Sequence, residues 1–239
     1  RNAEGRSMYV DYQEIGHSRH KTISCSQCHS GVNQSHKRPC DTIEKRVDCA
    51  SCHPEMAEKY TNSIHGKRLA AGDPLAPACI TCHGTHGVLG KTNPTSRTFP
   101  TRVPALCGEC HQAGKKGAAR VVNKNKEDVV GHYIESIHGK GLLQSGLVVT
   151  AQCTDCHTAH EAQPAKHPAS SVNPKNVAST CGKCHHGIEE QFAQSVHSRL
   201  VNKTDKPLPT CNDCHSAHTI RRADTQGFKL EIMDQCGRC

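Results

Sequence analysis

The sequence has no tryptophan, only three phenylalanines and four tyrosines, and hydrophobic residues fill just 34% of its 239 positions. A chain this poor in apolar side chains cannot build an ordinary hydrophobic core that offsets the entropy lost on folding. Cysteine and histidine are the residues in excess, with 17 and 19 copies. We therefore expect the fold to depend on a group that is attached through these two residue types.

Long apolar runs are also absent. The nearest approach is the segment 141–151, which is short and interrupted, whereas a membrane-spanning helix needs roughly 20 apolar residues. No signal-peptide pattern is present. The sequence begins at Arg1 rather than Met, so the possibility that an N-terminal signal or anchor has been removed stays open.

Sixteen of the cysteines form eight CxxC pairs, which we number one to eight along the chain, and the first seven pairs are each followed by a histidine. The paired cysteines are Cys25 and Cys28, Cys49 and Cys52, Cys79 and Cys82, Cys107 and Cys110, Cys153 and Cys156, Cys181 and Cys184, Cys211 and Cys214, and Cys236 and Cys239. The adjoining histidines are His29, His53, His83, His111, His157, His185 and His215. Two thiols at this spacing can bond to the two vinyl groups of one haem, and the next histidine then lies beneath the iron as its proximal ligand.

Structural zinc, redox dithiols and disulfide frameworks also use CxxC pairs, but none of them requires the next residue to be histidine. Histidine fills 19 of 239 positions, so chance would place one after a given pair in roughly one case in twelve. The pattern predicts haem c at seven complete sites, with an eighth at the last CxxC pair. The remaining thiol, Cys40, is predicted to be inert or structural, with an intermolecular disulfide as the alternative.

The formal net charge is +8. A basic chain can bind nucleic acid or an anionic membrane. Each haem c, however, adds about one to two negative charges through its propionates and iron, so seven or eight haems would cancel most of the excess. We therefore predict no nucleic-acid partner.

A repeat accounts for most of the other histidines. The pattern aromatic-x-x-Ser-(Ile/Val)-His ends at His65, His138 and His197. Each copy precedes a CxxCH motif that carries a further histidine three residues past its end, namely His86, His160 and His218. These trailing histidines emerge on the proximal side of their own haem, so we predict that they bind neighbouring haems. The leading histidines are predicted to lie in short helices in which Tyr60 and Ile64 share an apolar face.

The N-terminal segment resembles a degenerate copy. His17 follows Tyr12 by five residues, His20 competes with His17 as a ligand, and His36 is the nearest substitute for a trailing histidine. The predicted distal ligands are therefore His17, His20, His36, His65, His86, His138, His160, His197 and His218. Surface or supporting roles are predicted for His132, His167 and His186.

Self-similarity of this kind predicts stacked modules. The expected fold is mostly irregular with short α-helices and little or no β-structure, packed around haem in tandem di-haem units. The predicted segments are a degenerate unit at 1–48, repeats at 49–106, 107–180 and 181–235, and the start of a further motif at 236–239. An insertion at 112–128 in the middle repeat, rich in Lys and Gly, is predicted to be a solvated loop.

On these motifs the chain resembles bacterial multihaem cytochromes c with doubled CxxCH motifs, a group that includes cytochrome c3-like electron carriers. The resemblance covers nearly the whole sequence. It implies a periplasmic or extracellular location, low haem potentials and redox partner proteins. A membrane quinol-oxidising module or identical subunits are among the partners that would suit such a chain.

Two histidine ligands saturate the iron and leave no position for a substrate, and no methionine that would raise the potential occurs at a repeating position. We therefore expect an electron carrier rather than an enzyme. One alternative is part of an oxidoreductase related to multihaem nitrite reductases or hydroxylamine-oxidising proteins, although no CxxCK motif is present. Another is a subunit of a haem-bearing extracellular filament.

Overall fold

A computed structural model describes residues 5, 9–30, 47–120 and 128–237. Within these ranges the chain forms short α-helices and turns without a strand, which confirms the expected class of secondary structure. His36, Cys40 and Cys239 lie outside the described residues. The helices are α1 (Tyr12–His17), α2 (Cys25–Cys28), α3 (Pro54–Asn62), α4 (Ile64–Ala70), α5 (Cys79–His83), α6 (Val103–His111), α7 (Val129–Glu135), α8 (Ile137–Leu143), α9 (Cys153–His157), α10 (Val177–Gly182), α11 (His186–Ala193), α12 (Cys211–His215) and α13 (Gln226–Cys236). Single 3-10 turns occupy Cys49–Ser51, Pro100–Arg102 and Ala118–Arg120.

The chain divides into two compact units, Arg1–Phe99 and Pro100–Cys239. Helices α1 to α5 belong to the first unit and α6 to α13 to the second. The finer division into tandem di-haem segments stays a prediction.

Protein side chains alone supply a small core. Among the described residues, the buried apolar side chains are Val103, Pro104, Val130, Leu142, Val177 and Phe228. Buried polar residues outnumber them and comprise Ser18, Ser63, Ser96, Ser136, Ser170, Asn173 and Ser198. Large apolar side chains stay exposed, among them Ile80 between the two cysteines of the third motif, at 54%. The scarcity of apolar burial agrees with the composition.

Paired helices carry two of the leading histidines. Helix α3 ends at Asn62. The hydroxyl of the next residue, Ser63, donates to the carbonyl of Tyr60 over 2.6 Å and accepts from the amide of Gly66 over 3.0 Å, so that α4 begins in a new direction. A Cβ at Gly66 would overlap the Tyr60 carbonyl oxygen. Tyr60 and Ile64 therefore belong to different helices, and the prediction that they share one helical face is wrong.

The same arrangement recurs between α7 and α8. Ser136 donates to the carbonyl of Tyr133 over 2.6 Å and accepts from the amide of Gly139 over 3.0 Å. A Cβ at Gly139 would overlap the carbonyl oxygen of Tyr133. The serine and the glycine together thus fix the sharp turn that places His138 at the start of α8.

The third copy of the pattern folds differently. Ser195 still donates to the carbonyl of Phe192 over 2.8 Å, but its hydroxyl accepts from the amide of His197 over 3.3 Å, and turns replace the second helix. Ser198 stands where the other copies have glycine, and its Cβ excludes the close approach to the carbonyl. The prediction of a short helix at His197 is therefore wrong.

The insertion in the middle repeat is largely exposed over 112–116 and contains the 3-10 turn Ala118–Arg120. Asp128, its last residue, accepts from the amide of Gly131 over 3.1 Å and caps α7. Residues 121–127 are outside the described part. Across the ranges that the structure describes, none of the helices has the length and apolar character needed to cross a membrane.

Candidate functional site

The odd-numbered CxxCH motifs share one local structure. Helices α2, α5, α9 and α12 each begin at the first cysteine of such a motif. The residue before the second cysteine accepts a hydrogen bond from the amide that precedes the helix: Thr81 from Ala78 over 3.0 Å, and Asp155 from Gln152 over 2.8 Å. Asp213 and Gln27 make the equivalent bonds. Sequence reasoning missed these caps, although a polar residue at the third helical position is a known capping signal.

An unusual backbone conformation follows three of these motifs. The residue after the motif histidine has positive φ in each case: Gly84 at 78°, Thr158 at 62° and Ser216 at 62°. Their ψ values of −171°, 158° and 173° place them in a region that glycine alone adopts readily. The hydroxyl oxygen of Thr158 is also buried without a hydrogen-bond partner. This turn directs the chain toward the trailing histidine two residues later.

In the described part of the chain, at least four motif histidines face a second imidazole. In the first unit, the ring centroids of His29 and His86 lie 6.1 Å apart and those of His53 and His20 lie 6.0 Å apart. In the second unit, the distances are 6.1 Å between His185 and His138 and 6.0 Å between His157 and His218. In every pair, a predicted proximal ligand meets a predicted distal ligand from elsewhere in the chain.

This spacing is suited to a single metal atom. A metal–imidazole nitrogen bond is about 2 Å long, and the ring centre lies about 1 Å behind the nitrogen, so two imidazoles on opposite sides of one metal have centroids about 6 Å apart. Ring contacts without a metal span a wider range of centroid distances, about 4.5–7 Å, whereas the four values here differ by only 0.1 Å and match the distance expected across a metal. The four pairs therefore fit a metal that is bound axially by two histidines.

The second unit favours the uncharged, metal-binding form of its imidazoles. Burial lowers the pKa of His157 to about 4, and the imidazoles of His218 and His111 add to this effect. Burial also lowers the pKa of His138, with a further contribution from His185. At neutral pH these rings are neutral and keep the nitrogen lone pair that a metal requires.

First cysteines of consecutive motifs also meet. Cys49 lies within hydrogen-bonding reach of Cys79, Cys107 of Cys153, and Cys181 of Cys211. Contact with Cys153 raises the pKa of the Cys107 thiol, and contact with Cys181 raises that of Cys211. These contacts join the second motif to the third, the fourth to the fifth and the sixth to the seventh, as in the repeat predicted from the sequence.

Two tyrosines join the helix pairs to the next motif. The hydroxyl of Tyr133 donates to the carbonyl of Ala151 over 2.9 Å, and that of Tyr60 donates to the carbonyl of Pro77. Each acceptor lies two residues before the first cysteine of a motif. Phe192 has no hydroxyl, so the third copy lacks this bond.

The remaining predicted ligands lie as follows. His65 is in α4, His83 ends α5, His111 ends α6, and His160 follows α9. His17 is exposed and its Nδ1 is 2.8 Å from the carbonyl oxygen of Gln13, whereas the neighbouring His20 faces His53. His197 is exposed.

Three histidines lie outside the predicted ligand set. His132 is within α7, His167 accepts from the amide of Ala169, and His186 lies close to the carboxylates of Glu189 and Glu190. In the described part of the chain, no group of three or more His, Cys, Asp or Glu side chains is arranged to hold a metal ion.

Comparison with known proteins adds no relative: no family model matches the chain, and neither a curated protein nor a solved structure is significantly similar to it.

Proposed function

We propose that this chain is an electron-transfer protein that carries seven to eight covalently attached, low-potential c-type haems, most of them bound by two histidines. In this assignment the CxxC thiols form the thioether bonds and the motif histidines are the proximal ligands. The observation that carries the proposal is the set of four imidazole pairs with centroids 6.0 to 6.1 Å apart.

The pairs also support individual distal ligands. We propose His20 as the ligand opposite His53, and the ring contact between these two histidines favours His20 over His17. His86 is assigned opposite His29, His138 opposite His185, and His218 opposite His157. Metal–imidazole distances account for each of these pairings, whereas a purely structural role would not require the same centroid distance four times.

Contacts between thiols support electron transfer between the two haems of each proposed di-haem unit. Cys107 and Cys153 are within hydrogen-bonding reach, so groups attached to these two sulfurs would have neighbouring edges. Cys49 with Cys79 and Cys181 with Cys211 repeat the arrangement. The haem supplies the redox chemistry, and the protein sets its position, its ligands and the polarity of its surroundings.

The exposed apolar side chains fit the same proposal. Ile80 lies between two proposed attachment cysteines, and Ile137 precedes the proposed ligand His138; their exposures are 54% and 38%. A porphyrin face would cover such side chains and contribute roughly 25 cal/mol for each Å² of apolar surface removed from water. We propose that bound haem supplies most of the core that the polypeptide lacks.

On the resemblance, we propose that the protein acts outside the cytoplasm, in the periplasm or at the cell exterior, with redox proteins as donor and acceptor. A membrane quinol-oxidising module or identical subunits are proposed as partners on the resemblance alone.

An EPR spectrum of the oxidised protein, combined with a redox titration, tests the proposal. We expect low-spin signals from bis-histidine iron and reduction at low potential across the whole set. A protein without haem, or one whose irons are mainly high-spin, would contradict it.

A further inference from the structure

A carboxylate lies against the sixth CxxCH motif, in the second of the two units. Gly182, the residue after the first cysteine of this motif, is buried, and a Cβ at that position would overlap the carboxylate of Glu189. Glu189 belongs to α11, and its side chain is 28% exposed. Because glycine has no side chain, it leaves the space that holds this carboxylate beside a proposed haem attachment site.

The charge of Glu189 acts on thiols of two consecutive motifs. Cys181 and Cys211 lie within hydrogen-bonding reach of each other, and the carboxylate interacts electrostatically with both. Contact with Cys181 raises the pKa of the Cys211 thiol most, and burial and the charge of Glu189 add to the rise. The carboxylate is therefore close to sulfurs that would attach the sixth and the seventh haems.

The backbone also joins Glu189 to the histidine of the sixth motif. Its amide donates to the carbonyl of His185 over 3.0 Å, in the first turn of α11. The partial positive charge at the start of a helix favours a negative side chain in this turn. His185 faces His138 in one of the four imidazole pairs. The first turn of α11 thus holds the carboxylate next to a proposed proximal ligand.

The equivalent place in the preceding repeat is apolar. Val130 stands three residues before Tyr133, as Glu189 stands three residues before Phe192. Val130 is buried, and its Cγ1 lies 3.5 Å from the position of a Cβ at Gly108, the residue after the first cysteine of the fourth motif. The fourth and sixth motifs therefore share this glycine, which is covered by a methyl group in one and by a carboxylate in the other.

We propose that the carboxylate of Glu189 lowers the reduction potential of the haem at the sixth motif. Ferric iron carries one more positive charge than ferrous iron, so a nearby negative charge stabilises the oxidised state. In a partly reduced protein, an electron would then reside preferentially on other haems. The inference rests on the proposed function, since it requires haem at Cys181 and Cys184.

The neighbouring Glu190 supplies a matched control. His186 contacts both carboxylates, with its Nδ1 3.9 Å from Glu189 and its Nε2 3.3 Å from Glu190. Glu190 is 62% exposed, against 28% for Glu189. Replacing either residue by Gln removes one negative charge from the same helix and one contact with the same histidine. The two variants therefore differ mainly in the distance of the lost charge from the motif.

A redox titration of the intact, haem-loaded protein, in which dithionite supplies one electron to each ferric iron, tests the inference. We expect Glu189→Gln to change the reduction equilibrium of at least one haem by about tenfold at an effective dielectric constant of about 20, which is an upward shift of about 59 mV for a one-electron couple. Glu190→Gln should titrate like the parent. Glu189→Asp, which keeps the charge, should lie closer to the parent than Glu189→Gln does.

The variant His138→Met locates the shift, because a methionine-bound haem at the sixth motif should titrate apart from the others at higher potential. In this background, Glu189→Gln should move that separate step upward again. EPR of Glu189→Gln should show the same low-spin irons as the parent. The comparison of Glu189→Gln with Glu190→Gln needs no other variant, so the test stands if His138→Met does not fold.

Equal titrations of Glu189→Gln and Glu190→Gln would overturn the inference and leave the proposed function intact. An equal upward shift in Glu189→Asp would also overturn it, because loss of the charge would not be the cause. A change of spin state in Glu189→Gln would do the same, since a displaced ligand would then account for the shift. A protein whose mass shows no haem would instead refute the proposed function.

Discussion

The sharp turn between α7 and α8 gives a quantitative prediction for Gly139→Ala. The new Cβ would overlap the carbonyl oxygen of Tyr133, so the two helices must move apart. Overpacking of this kind costs about 1–3 kcal/mol. The movement also weakens the hydrogen bonds of Ser136 to Tyr133 (2.6 Å) and from Gly139 (3.0 Å), each worth about 0.5–1.5 kcal/mol.

Replacing glycine by alanine within a helix returns up to about 1 kcal/mol, so the net expected loss in the free energy of unfolding is about 2–4 kcal/mol. Since His138 adjoins Gly139, its ring should also move away from His185, and one haem should become partly high-spin. Gly187→Ala is the matched control, because Gly187 lies in α11 and a Cβ there meets no atom within 4 Å.

Urea denaturation followed by circular dichroism measures the loss of stability, and EPR measures the change of spin state. Gly187→Ala should be as stable as the parent protein or slightly more stable. The reasoning would be refuted if Gly139→Ala unfolded at the same urea concentration as Gly187→Ala and kept every iron low-spin.

Three further predictions concern the site and its cofactor. Thr158→Gly should raise the free energy of unfolding by about 1–2 kcal/mol, because it relieves a backbone conformation that costs about 1–3 kcal/mol and removes a buried, unpaired hydroxyl. Gly84→Thr should lower the free energy of unfolding, and equal urea midpoints for the two variants would count against this reasoning. His138→Met should move one haem to a higher potential in a redox titration and leave the others unchanged, whereas the control His167→Met, at an exposed position, should have no effect. An unaltered titration of His138→Met would remove His138 from the proposed ligands. Chain produced without haem attachment should lose most of its helical circular dichroism, because the cofactor supplies the missing core, and native-like helix content would contradict that expectation.

Several features of the molecule were predictable from the sequence. The low apolar content indicated a small protein core, and the structure buries few large apolar side chains in its described part. The repeat pointed to His86 and His218 as partners of other motifs, and the structure places them against His29 and His157. Spacing was sufficient here because a histidine three residues after the motif histidine would emerge on the same side of a haem bound at that motif, and was therefore expected to face another motif.

Other features depend on steric contacts that a residue pattern does not contain. Tyr60 and Ile64 have helical spacing, yet the Ser63 hydroxyl ends one helix and caps the next. The copies at His138 and His197 look equivalent in sequence. They fold differently because Gly139 admits a close carbonyl contact that the Cβ of Ser198 excludes. Such differences arise from single atoms rather than from periodicity.

The intact mass of the purified protein, measured under denaturing and non-reducing conditions, tests the central claim most directly. The account predicts a chain of 25.9 kDa that carries the additional mass of seven or eight covalently attached haems. A mass equal to the bare chain would contradict it. So would a mass reduced by the hydrogens lost in disulfide formation, which would mean that neighbouring thiols such as Cys107 and Cys153 are bonded to each other and not to haem.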